Sequence, residues 1–502
     1  MPSPARRRVI GGLVTATLLL SPSLAVAADT ASEEAVPLTE LASDAYANST
    51  GQYGTSAGPD TYQWGSTIVT AQQAGRFHDG GASGITFATS ADNGATWTKG
   101  TLPAITVFGG GPYARVSDPS VAFDAAHGAW LITSLALTDA GGVTGAAVLT
   151  SRSTDGGLTW STPVTTATGG DLDKSWAVCD NGAESAFRGT CYAVFDDHAA
   201  SNTIKVARSA DGGLTWAVTA TSAHGLGGQP VVRPDGAVVV PYLSDDGEIR
   251  SFRSRDGGAS WGESTLVSQV QRHTVAGGLR AAPLPSAEVD AAGTVYVVWQ
   301  DCRFQVRCAG NDIVLTSSAN GTTWGEVLRV TEDGGDHFIP GLGVDRESSG
   351  GDSGKGARLA LAYYRYPDAA CAPAACRLTV AYTSSTNGGA SWSPPMELHA
   401  GMPLDWLAGS TQGRTVGDYI STSVVPGGGA FPAFAVAGAP AGGAFNVRTH
   451  TVTGGLPITG GEPPTIAIEA AVASGEPRRE PSRPPAERPH DRPLADRLAT
   501  AR

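Results

Sequence analysis

The sequence predicts an all-β fold of repeated antiparallel sheets, and three observations predict it. Glycine is abundant, with 66 residues in 502, whereas only 16% of residues are charged, a composition typical of strands joined by many tight turns. An eight-residue phrase returns six times, and around it a pair of strand-like runs returns seven times with no room for helices. Together these observations predict a closed β-propeller of seven blades, with six blades as the alternative if the first repeat is not a full sheet.

The repeated phrase is Ser-x-Asp-x-Gly-x-Thr/Ser-Trp. Four copies are complete, at residues 90–97, 153–160, 209–216 and 254–261, and two are eroded, with Ala319 or Asn387 at the aspartate position. The aspartate is expected to accept backbone N–H bonds in a tight turn, the glycine to adopt a positive φ, and the tryptophan to cover the hairpin. On this reasoning Asn387 keeps most of the turn chemistry and Ala319 loses it.

Strand-like runs rich in apolar and β-branched residues occur in pairs along the chain. The second run of each pair occupies 84–87, 147–150, 203–206, 248–250, 312–315, 377–380 and 445–448, and the first occupies 67–69, 129–132, 191–194, 238–240, 295–298, 359–362 and 434–436. The last pair has no phrase after it and lacks an outer strand. A segment near the mature N-terminus is therefore expected to complete that sheet and close the ring.

Four segments follow from these patterns. Residues 1–27 have a positive start, an apolar run of about a dozen residues and an Ala-Val-Ala ending, which is typical of a signal peptide and too short for a membrane span. Residues 28–60 are an N-terminal extension and 61–453 the propeller. Residues 454–502 are rich in proline and charge and are expected to be a disordered tail. The protein is expected to be secreted and extracellular.

Six cysteines in an exported chain favour disulfides over metal ligands. Loop-closure entropy and sequential clustering favour three local pairs, because each would close a short loop. The expected pairs are Cys179 with Cys191, Cys302 with Cys308, and Cys371 with Cys376. Neither a metal nor a cofactor is expected.

The charge balance disfavours one class of partner. The formal net charge is −13 and the only lysines are Lys99, Lys174, Lys205 and Lys355, so no basic face large enough for nucleic acid is available.

The repeated phrases resemble Asp-box (BNR) repeats, and with the signal peptide the chain resembles secreted bacterial proteins of the sialidase superfamily. The resemblance covers residues 61–451. It implies a catalytic set of three arginines that bind a carboxylate, a tyrosine nucleophile with a glutamate partner, and an aspartate acid. By position the best matches are Arg377 and Arg115 among the arginines, Tyr419 as nucleophile, Glu288 as its partner and Asp139 as an available acid.

The propeller architecture by itself also predicts a set of site residues. Residues just ahead of each inner strand converge at one mouth of the channel, and here they are polar. They are Asp118, Asp173, Lys174, Gln229, Arg280, His337, Asp418 and Tyr419. Such a ring can bind a sugar or supply acid and base groups. The alternative is that the aspartates and Gln229 satisfy backbone groups, that Lys174 forms a structural ion pair, and that His337 is a hydrogen-bonded wall residue.

Two functions remain open at this point. One is a secreted, monomeric, sialidase-like glycoside hydrolase that acts on extracellular glycans or glycoproteins. The other is a non-catalytic propeller that binds an extracellular glycan or protein.

Overall fold

The computed structural model describes residues 35–47, 50–349 and 356–460. The expected signal peptide lies outside the described residues, as do residues 28–34 of the extension and residues 461–502 of the expected tail. From Val36 onward, the described residues belong to one compact unit.

Strand β1 (Leu38–Ala42) precedes the first repeat. The next strands form one eight-stranded sheet of two antiparallel meanders, which are β2 (Ser56–Trp64), β3 (Thr67–Arg76), β4 (Ala82–Ser90), β5 (Thr98–Thr101), β6 (Arg115–Asp124), β7 (Ala129–Thr138), β8 (Thr144–Ser153) and β9 (Val164–Thr168). A bridge between Ala82 of β4 and Val116 of β6 links the two meanders.

A second eight-stranded sheet has the same organisation. Its strands are β10 (Leu172–Cys179), β11 (Cys191–Asp197), β12 (Thr203–Ser209), β13 (Ala217–Leu226), β14 (Val231–Val232), β15 (Val238–Ser244), β16 (Glu248–Ser254) and β17 (Thr265–Gln269). Here the link is the pairing of β13 with β15.

Two four-stranded antiparallel sheets follow. They are formed by β18 (Ser286–Val289), β19 (Val295–Asp301), β20 (Asp312–Ser318) and β21 (Leu328–Arg329), and by β22 (Asp336–Val344), β23 (Leu359–Tyr366), β24 (Arg377–Ser385) and β25 (Met396–Pro403).

The chain then forms a short hairpin and a last sheet. The strands are β26 (Gly409–Ser410) and β27 (Gly413–Arg414) of the hairpin, and β28 (Ser421–Val425), β29 (Gly429–Ala441), β30 (Ala444–Val452) and β31 (Leu456–Pro457) of the sheet. The N-terminal strand β1 pairs with β30 and is the outer strand of this sheet. Because β31 pairs with β29, the packed part of the chain extends beyond residue 454, where the sequence places the start of the tail.

Short 3-10 helices occupy five of the described loops, at Val107–Gly109, His198–Ala200, Ala276–Gly278, Val306–Cys308 and Leu404–Trp406. Each of the paired runs predicted as strands lies within a strand. The fold is all-β, with antiparallel sheets consistent with a β-propeller. No helix in the described ranges has the length and apolar character that a bilayer crossing requires.

The core lies between neighbouring sheets. One buried cluster, for example, combines Val69 and Ile85 of the β2–β5 meander with Val121 and Ile132 of the β6–β9 meander. Strands β15 and β19, the second strands of their meanders, are buried along their whole length and are largely apolar, whereas third strands such as β12 and β16 alternate between buried and partly exposed residues.

The first strands of successive meanders contact one another. Strand β2 packs beside β6, β6 beside β10, β10 beside β14, β14 beside β18, β18 beside β22, β22 beside β28, and β28 beside β2. The contacts return to the starting strand, so residues on these strands can meet from all parts of the chain.

The repeated phrases form turns between the third and fourth strands of their meanders. In the second copy, Asp155 accepts hydrogen bonds from the backbone N–H groups of Leu158 (3.1 Å) and Thr159 (3.0 Å). The indole of Trp160 donates to the carbonyl of Gly157 at 3.1 Å, and its ring lies 5.7 Å from that of Phe87 in the preceding meander. The phrase thus fixes its own turn and packs the sheet against its neighbour.

The expectation that the fifth phrase has lost its turn acceptor at Ala319 is wrong. The next residue, Asn320, accepts bonds from the N–H groups of Thr322 (2.9 Å) and Thr323 (2.8 Å), and Ser318 accepts one from Gly321 (2.8 Å). This copy is one residue shorter between acceptor and tryptophan. The side-chain amide of Asn320 therefore takes the role of turn acceptor that the aspartate has in the complete copies.

Disulfides close three loops, and no described cysteine is left unpaired. One joins the end of β10 to the start of β11, and the other two lie in the loops after β19 and after β23. The pairs are those that the sequence predicts, Cys179–Cys191, Cys302–Cys308 and Cys371–Cys376.

Candidate functional site

The inner strands are irregular where their polar residues gather. The pairing register shifts within β2, β6, β10 and β22, and each shift contains a residue with positive φ: Gly58 (61°), Asp118 (44°), Lys174 (52°) and Ile339 (51°). Bulges re-aim side chains, and a positive φ strains any residue other than glycine. The same irregularity recurs at Gly58 and at apolar Ile339, so it is a shared feature of the inner strands, and in β6 and β10 it falls on the charged residues Asp118 and Lys174.

Lys174 is the centre of a buried ion cluster. Its ammonium lies 2.7 Å from Asp418, 3.7 Å from Asp173 and 3.9 Å from Asp118. The guanidinium of Arg280 reaches the same Asp418 oxygen at 2.5 Å. We call the place formed by Asp118, Lys174, Arg280, Asp418 and Tyr419 the axial mouth. It unites side chains from four distant parts of the sequence.

The carboxyl groups of the axial mouth have opposite proton affinities. Burial raises the pKa of Asp118, an effect that the charge of Lys174 offsets only in part. One carboxyl oxygen of Asp118, Oδ2, is buried without a hydrogen-bond partner. Burial would also raise the pKa of Asp418, but the charges of Arg280 and Lys174 outweigh it and hold that pKa well below its usual range. Asp118 is the group best suited to carry a proton and Asp418 the one best suited to stay ionised.

Tyr419 packs into the wall of the mouth. Its hydroxyl donates to the backbone carbonyl of Pro119 at 3.1 Å, and its ring meets that of Trp176 edge-on with 4.8 Å between centroids. Burial raises the pKa of Tyr419 well above its usual value, and the neighbouring charge of Asp118 adds to this. The phenol is therefore held in its protonated form.

Glu288 belongs to a different set of contacts. Its carboxylate lies 3.3 Å from the guanidinium of Arg346, which in turn sits 4.2 Å from the ring centre of Tyr62. Burial raises the pKa of Glu288, although the charge of Arg346 opposes the shift. Glu288 and Tyr419 thus use their polar atoms on separate partners.

Arg115 and Asp139 are brought together, beside the axial mouth rather than in its ion cluster. The guanidinium of Arg115 lies 2.5 Å from Asp79, donates to the carbonyl of Gly80 at 3.0 Å and lies 3.9 Å from Asp139. It also stacks over the ring of Phe77 at 4.2 Å. Arg115 therefore already has two acids and one aromatic ring around its guanidinium.

Arg377 lies outside the cluster as well. It is exposed, and its guanidinium donates to the backbone carbonyls of Ala374 (3.0 Å) and Cys376 (2.9 Å) beside a disulfide. Its position at the start of β24 agrees with the sequence reading, but its side chain is turned to the local loop.

His337 and Gln229 make structural contacts. The fully buried His337 pairs its Nδ1 with the carbonyl of Asn311 at 3.0 Å, and its Nε2 lies 3.3 Å from Asp333. The side chain of Gln229 accepts from the N–H (3.1 Å) and donates to the carbonyl (3.4 Å) of Ala287. These bonds tie β18 to the loop between β13 and β14.

Two cavities adjoin the mouth. Lys174, Trp176, Gln229 and Tyr419 line a small one of about 20 Å³, room for about one water molecule. A wider cleft of about 510 Å³ is lined by Gln52, His78, Gly277, Gly278, Gly409, Ser410, Gly413, Arg414 and Phe445, and this volume is in the range of small-molecule sites. The cleft is next to the mouth, because Arg280 donates its N–H to the carbonyl of Arg414.

The sequence does not single out several charged groups near the mouth. Arg76 is buried at the end of β3, the second strand of the β2–β5 meander, and its guanidinium donates to the side chain of Gln73 at 2.7 Å. Asp60 is buried on β2, where its carboxyl accepts from Val121 at 2.7 Å, and burial raises its pKa to about 6. Neither residue lies just ahead of an inner strand, so the sequence does not predict either of them as a site residue.

Asp173 also faces a second group. His198 Nε2 lies 3.1 Å from Asp196 Oδ2 and 3.6 Å from Asp173 Oδ2, so the three side chains bring two oxygens and one nitrogen together. The carboxyl of Asp196 raises the pKa of His198, and burial raises the pKa of Asp196 itself.

No family model matches the chain, and no curated protein matches it. Solved structures do. A protein of unknown function from Dyadobacter fermentans is 19% identical, with 66% of this chain and 95% of that chain covered and a TM-score of 0.42. A PL25 ulvan lyase is 11% identical over 83% of this chain and 96% of its own, with a TM-score of 0.50. The NanB sialidase of Streptococcus pneumoniae is 12% identical over 83% and 70%, with a TM-score of 0.40. At these identities the likeness concerns the fold alone.

Proposed function

We propose that this chain is a secreted, seven-bladed Asp-box propeller of the sialidase superfamily that hydrolyses an extracellular glycan at the axial mouth. The blade count is supported by the contact circuit of the first strands β2, β6, β10, β14, β18, β22 and β28. Each eight-stranded sheet then counts as two blades. The three disulfides fit export, because such bonds persist in oxidising compartments.

One observation carries the hydrolase proposal: two acids that both surround Lys174 have pKa values shifted in opposite directions. Glycoside hydrolysis commonly needs one protonated carboxyl to donate to the leaving oxygen and one ionised carboxylate to face the developing positive charge. Asp118 supplies the first group, and Asp418, with the partly exposed Asp173 beside it, supplies the second. Lys174 holds the acids together, and Arg280 keeps Asp418 ionised.

This assignment differs from the tyrosine route that the sialidase resemblance implies. That route needs a base at the phenol, whereas Tyr419 donates to a backbone carbonyl and Glu288 pairs with Arg346. It also needs arginines free to bind a carboxylate, whereas Arg280 already has an acid partner. We therefore expect uncharged glycosides to be better substrates than sialosides.

The experiment is a panel of fluorogenic glycosides, one of them a sialoside, assayed with the wild type and three variants. Asp118→Asn should lower kcat by a hundredfold or more, because it removes the general acid. Tyr419→Phe should retain turnover within about tenfold, since only one hydrogen bond is lost. Asp139→Asn, an exposed acid on the loop beside the mouth, serves as the control and should behave as wild type.

The outcomes separate the two routes. If Tyr419→Phe abolishes turnover and Asp118→Asn does not, the tyrosine mechanism replaces the carboxylate one. If only the sialoside is cleaved, the substrate preference is wrong.

A non-catalytic binding function is the second candidate, and one observation favours it. Lys174 and Arg280 are already paired with Asp418, and the cavity beside Lys174 and Tyr419 holds about one water. A glycan would then occupy the wider cleft that includes His78 and Arg414. This function predicts no turnover of any glycoside, and glycan-array binding that weakens in His78→Ala but not in Asp118→Asn.

A further inference from the structure

We propose that Asp173, Asp196 and His198 bind one divalent transition-metal ion, of which Zn²⁺ is the best match. The three residues come from two adjacent strands and the loop that follows. Asp173 on β10 and Asp196 on β11 are direct cross-strand partners, and His198 begins the loop after β11.

The two aspartates face each other across the ladder, and a positive charge between them stabilises the pair, either the protonated His198 ring or a metal ion that displaces this proton. Like charges directly opposite each other in an antiparallel ladder are destabilising unless a positive group lies between them. Lys174 lies 3.7 Å from Asp173 but is more closely engaged by Asp418, at 2.7 Å. The space between Asp173 and Asp196 is instead faced by the His198 ring.

The distances suit coordination. Nε2 of His198 lies 3.1 Å from Asp196 Oδ2 and 3.6 Å from Asp173 Oδ2, and all three donor atoms lie within 4.8 Å of one another. Two ligand atoms bound tetrahedrally to zinc at about 2.0–2.2 Å are about 3.3–3.5 Å apart. The two distances from His198 to the carboxylates are therefore already close to those around a bound ion.

A second, independent observation points to a ligand. Asp196 is 2% exposed, and its Oδ2 has no hydrogen-bond partner. Although His198 Nε2 is only 3.1 Å away, the two atoms do not form a hydrogen bond of acceptable angle. The same Oδ2 lies within 4.8 Å of the donor atoms of His198 and Asp173, so a metal ion held by all three side chains would satisfy it. An unpaired buried carboxylate oxygen is otherwise costly.

The surroundings support the site. Asp171 lies 3.9 Å from the other ring nitrogen of His198, which is longer than a hydrogen bond, on the side where an outer carboxylate commonly orients a metal-bound histidine. The His198 side chain is 43% exposed, which leaves the ion a route from solvent. A nitrogen ligand and a small cage favour zinc or a similar ion over calcium, which prefers six or more oxygens.

The chain provides a matched control. His127 and Asp124 also form a histidine–aspartate pair, with a 2.6 Å contact and 37% exposure of the histidine side chain. That pair makes a normal hydrogen bond. Among the residues that the structure describes, no third histidine, cysteine or carboxylate completes a metal-binding group with it. It should not bind zinc.

The test uses the exported full chain, stripped with a chelator and titrated calorimetrically with Zn²⁺ at pH 7.5, with Ca²⁺ in parallel. The wild type should bind about one Zn²⁺ per chain and gain thermal stability from it, because a ligand bound only by the folded state stabilises that state. Asp196→Asn and His198→Gln should lose at least tenfold in zinc affinity, and His127→Gln should keep it.

Circular dichroism and melting of each metal-free variant show whether it folds. His198→Gln changes a half-exposed side chain and keeps the proposal testable if Asp196→Asn does not fold. No zinc binding by the wild type, calcium binding in its place, or equal affinity in His198→Gln would overturn the proposal. Because the readout is metal binding, these outcomes are independent of whether any glycoside is cleaved.

Discussion

Replacing Asp155 by alanine tests how the repeated phrases stabilise the fold. Asp155 accepts bonds from the backbone N–H groups of Leu158 and Thr159, from the Thr159 hydroxyl at 2.5 Å and from the Ser153 hydroxyl at 2.7 Å. The turn is exposed, so water replaces the lost acceptor at the N–H groups. The loss is then the net value of these four charge-assisted bonds after water has replaced the acceptor, about 1–3 kcal/mol in the free energy of unfolding.

The assay is denaturant unfolding of the wild type, Asp155→Ala and Asp155→Asn. If the m-value is the same in all three proteins, the shift of the denaturation midpoint gives the change in stability. Asp155→Asn should recover part of the loss, because Asn387 holds the equivalent turn by accepting from Ser391 at 3.0 Å. Exposed Asp246 replaced by alanine is the control and should change stability by less than about 0.5 kcal/mol.

The effect should also depend on pH. The Thr159 side chain and backbone lower the pKa of Asp155 to about 2 from an ordinary value of 3.8. A lowered folded-state pKa contributes stability that is present above the unfolded value and is lost as the pH falls through the folded one. The difference between wild type and Asp155→Ala should therefore shrink between about pH 4 and pH 2. A negligible difference at neutral pH, or one that is the same at pH 2 and pH 7, would refute the turn argument.

Three further predictions concern other parts of the molecule. Lys174→Met should lower the unfolding free energy by about 3–5 kcal/mol, because it removes the buried cation that faces ionised Asp418 and also Asp173; an unchanged denaturation midpoint would mean that Lys174 does not stabilise the cluster. Arg377→Lys should leave kcat/KM on the best glycoside within about twofold, since its guanidinium contacts only loop carbonyls in the described residues; a large rise in KM would return it to the substrate site. Thiol titration of unfolded, unreduced protein should read near zero, and a free thiol would contradict the three disulfides.

The sequence by itself determined the local features of this protein. The turn of each phrase is formed by groups within eight residues, so its acceptor, glycine and tryptophan can be identified from spacing. The short disulfide loops follow for the same reason. The one local error, at Ala319, arose because a one-residue deletion moved the acceptor to Asn320, and a fixed spacing does not allow for a deletion.

The tertiary structure decided the site. Asp118 of β6, Lys174 of β10, Arg280 and Asp418 are up to 300 residues apart in the sequence, and only the meeting of the inner strands brings Lys174 within 4 Å of both acids and Arg280 within 4 Å of Asp418. The sequence predicts these four residues as part of one site from their positions ahead of inner strands, and their side chains do lie together. It did not foresee that Arg377 turns outward, nor that Asp173 pairs across the ladder with Asp196. The physical reason is that a strand pattern fixes the position of the backbone, whereas the direction and protonation of a side chain depend on bulges, neighbouring charges and burial that the whole fold creates.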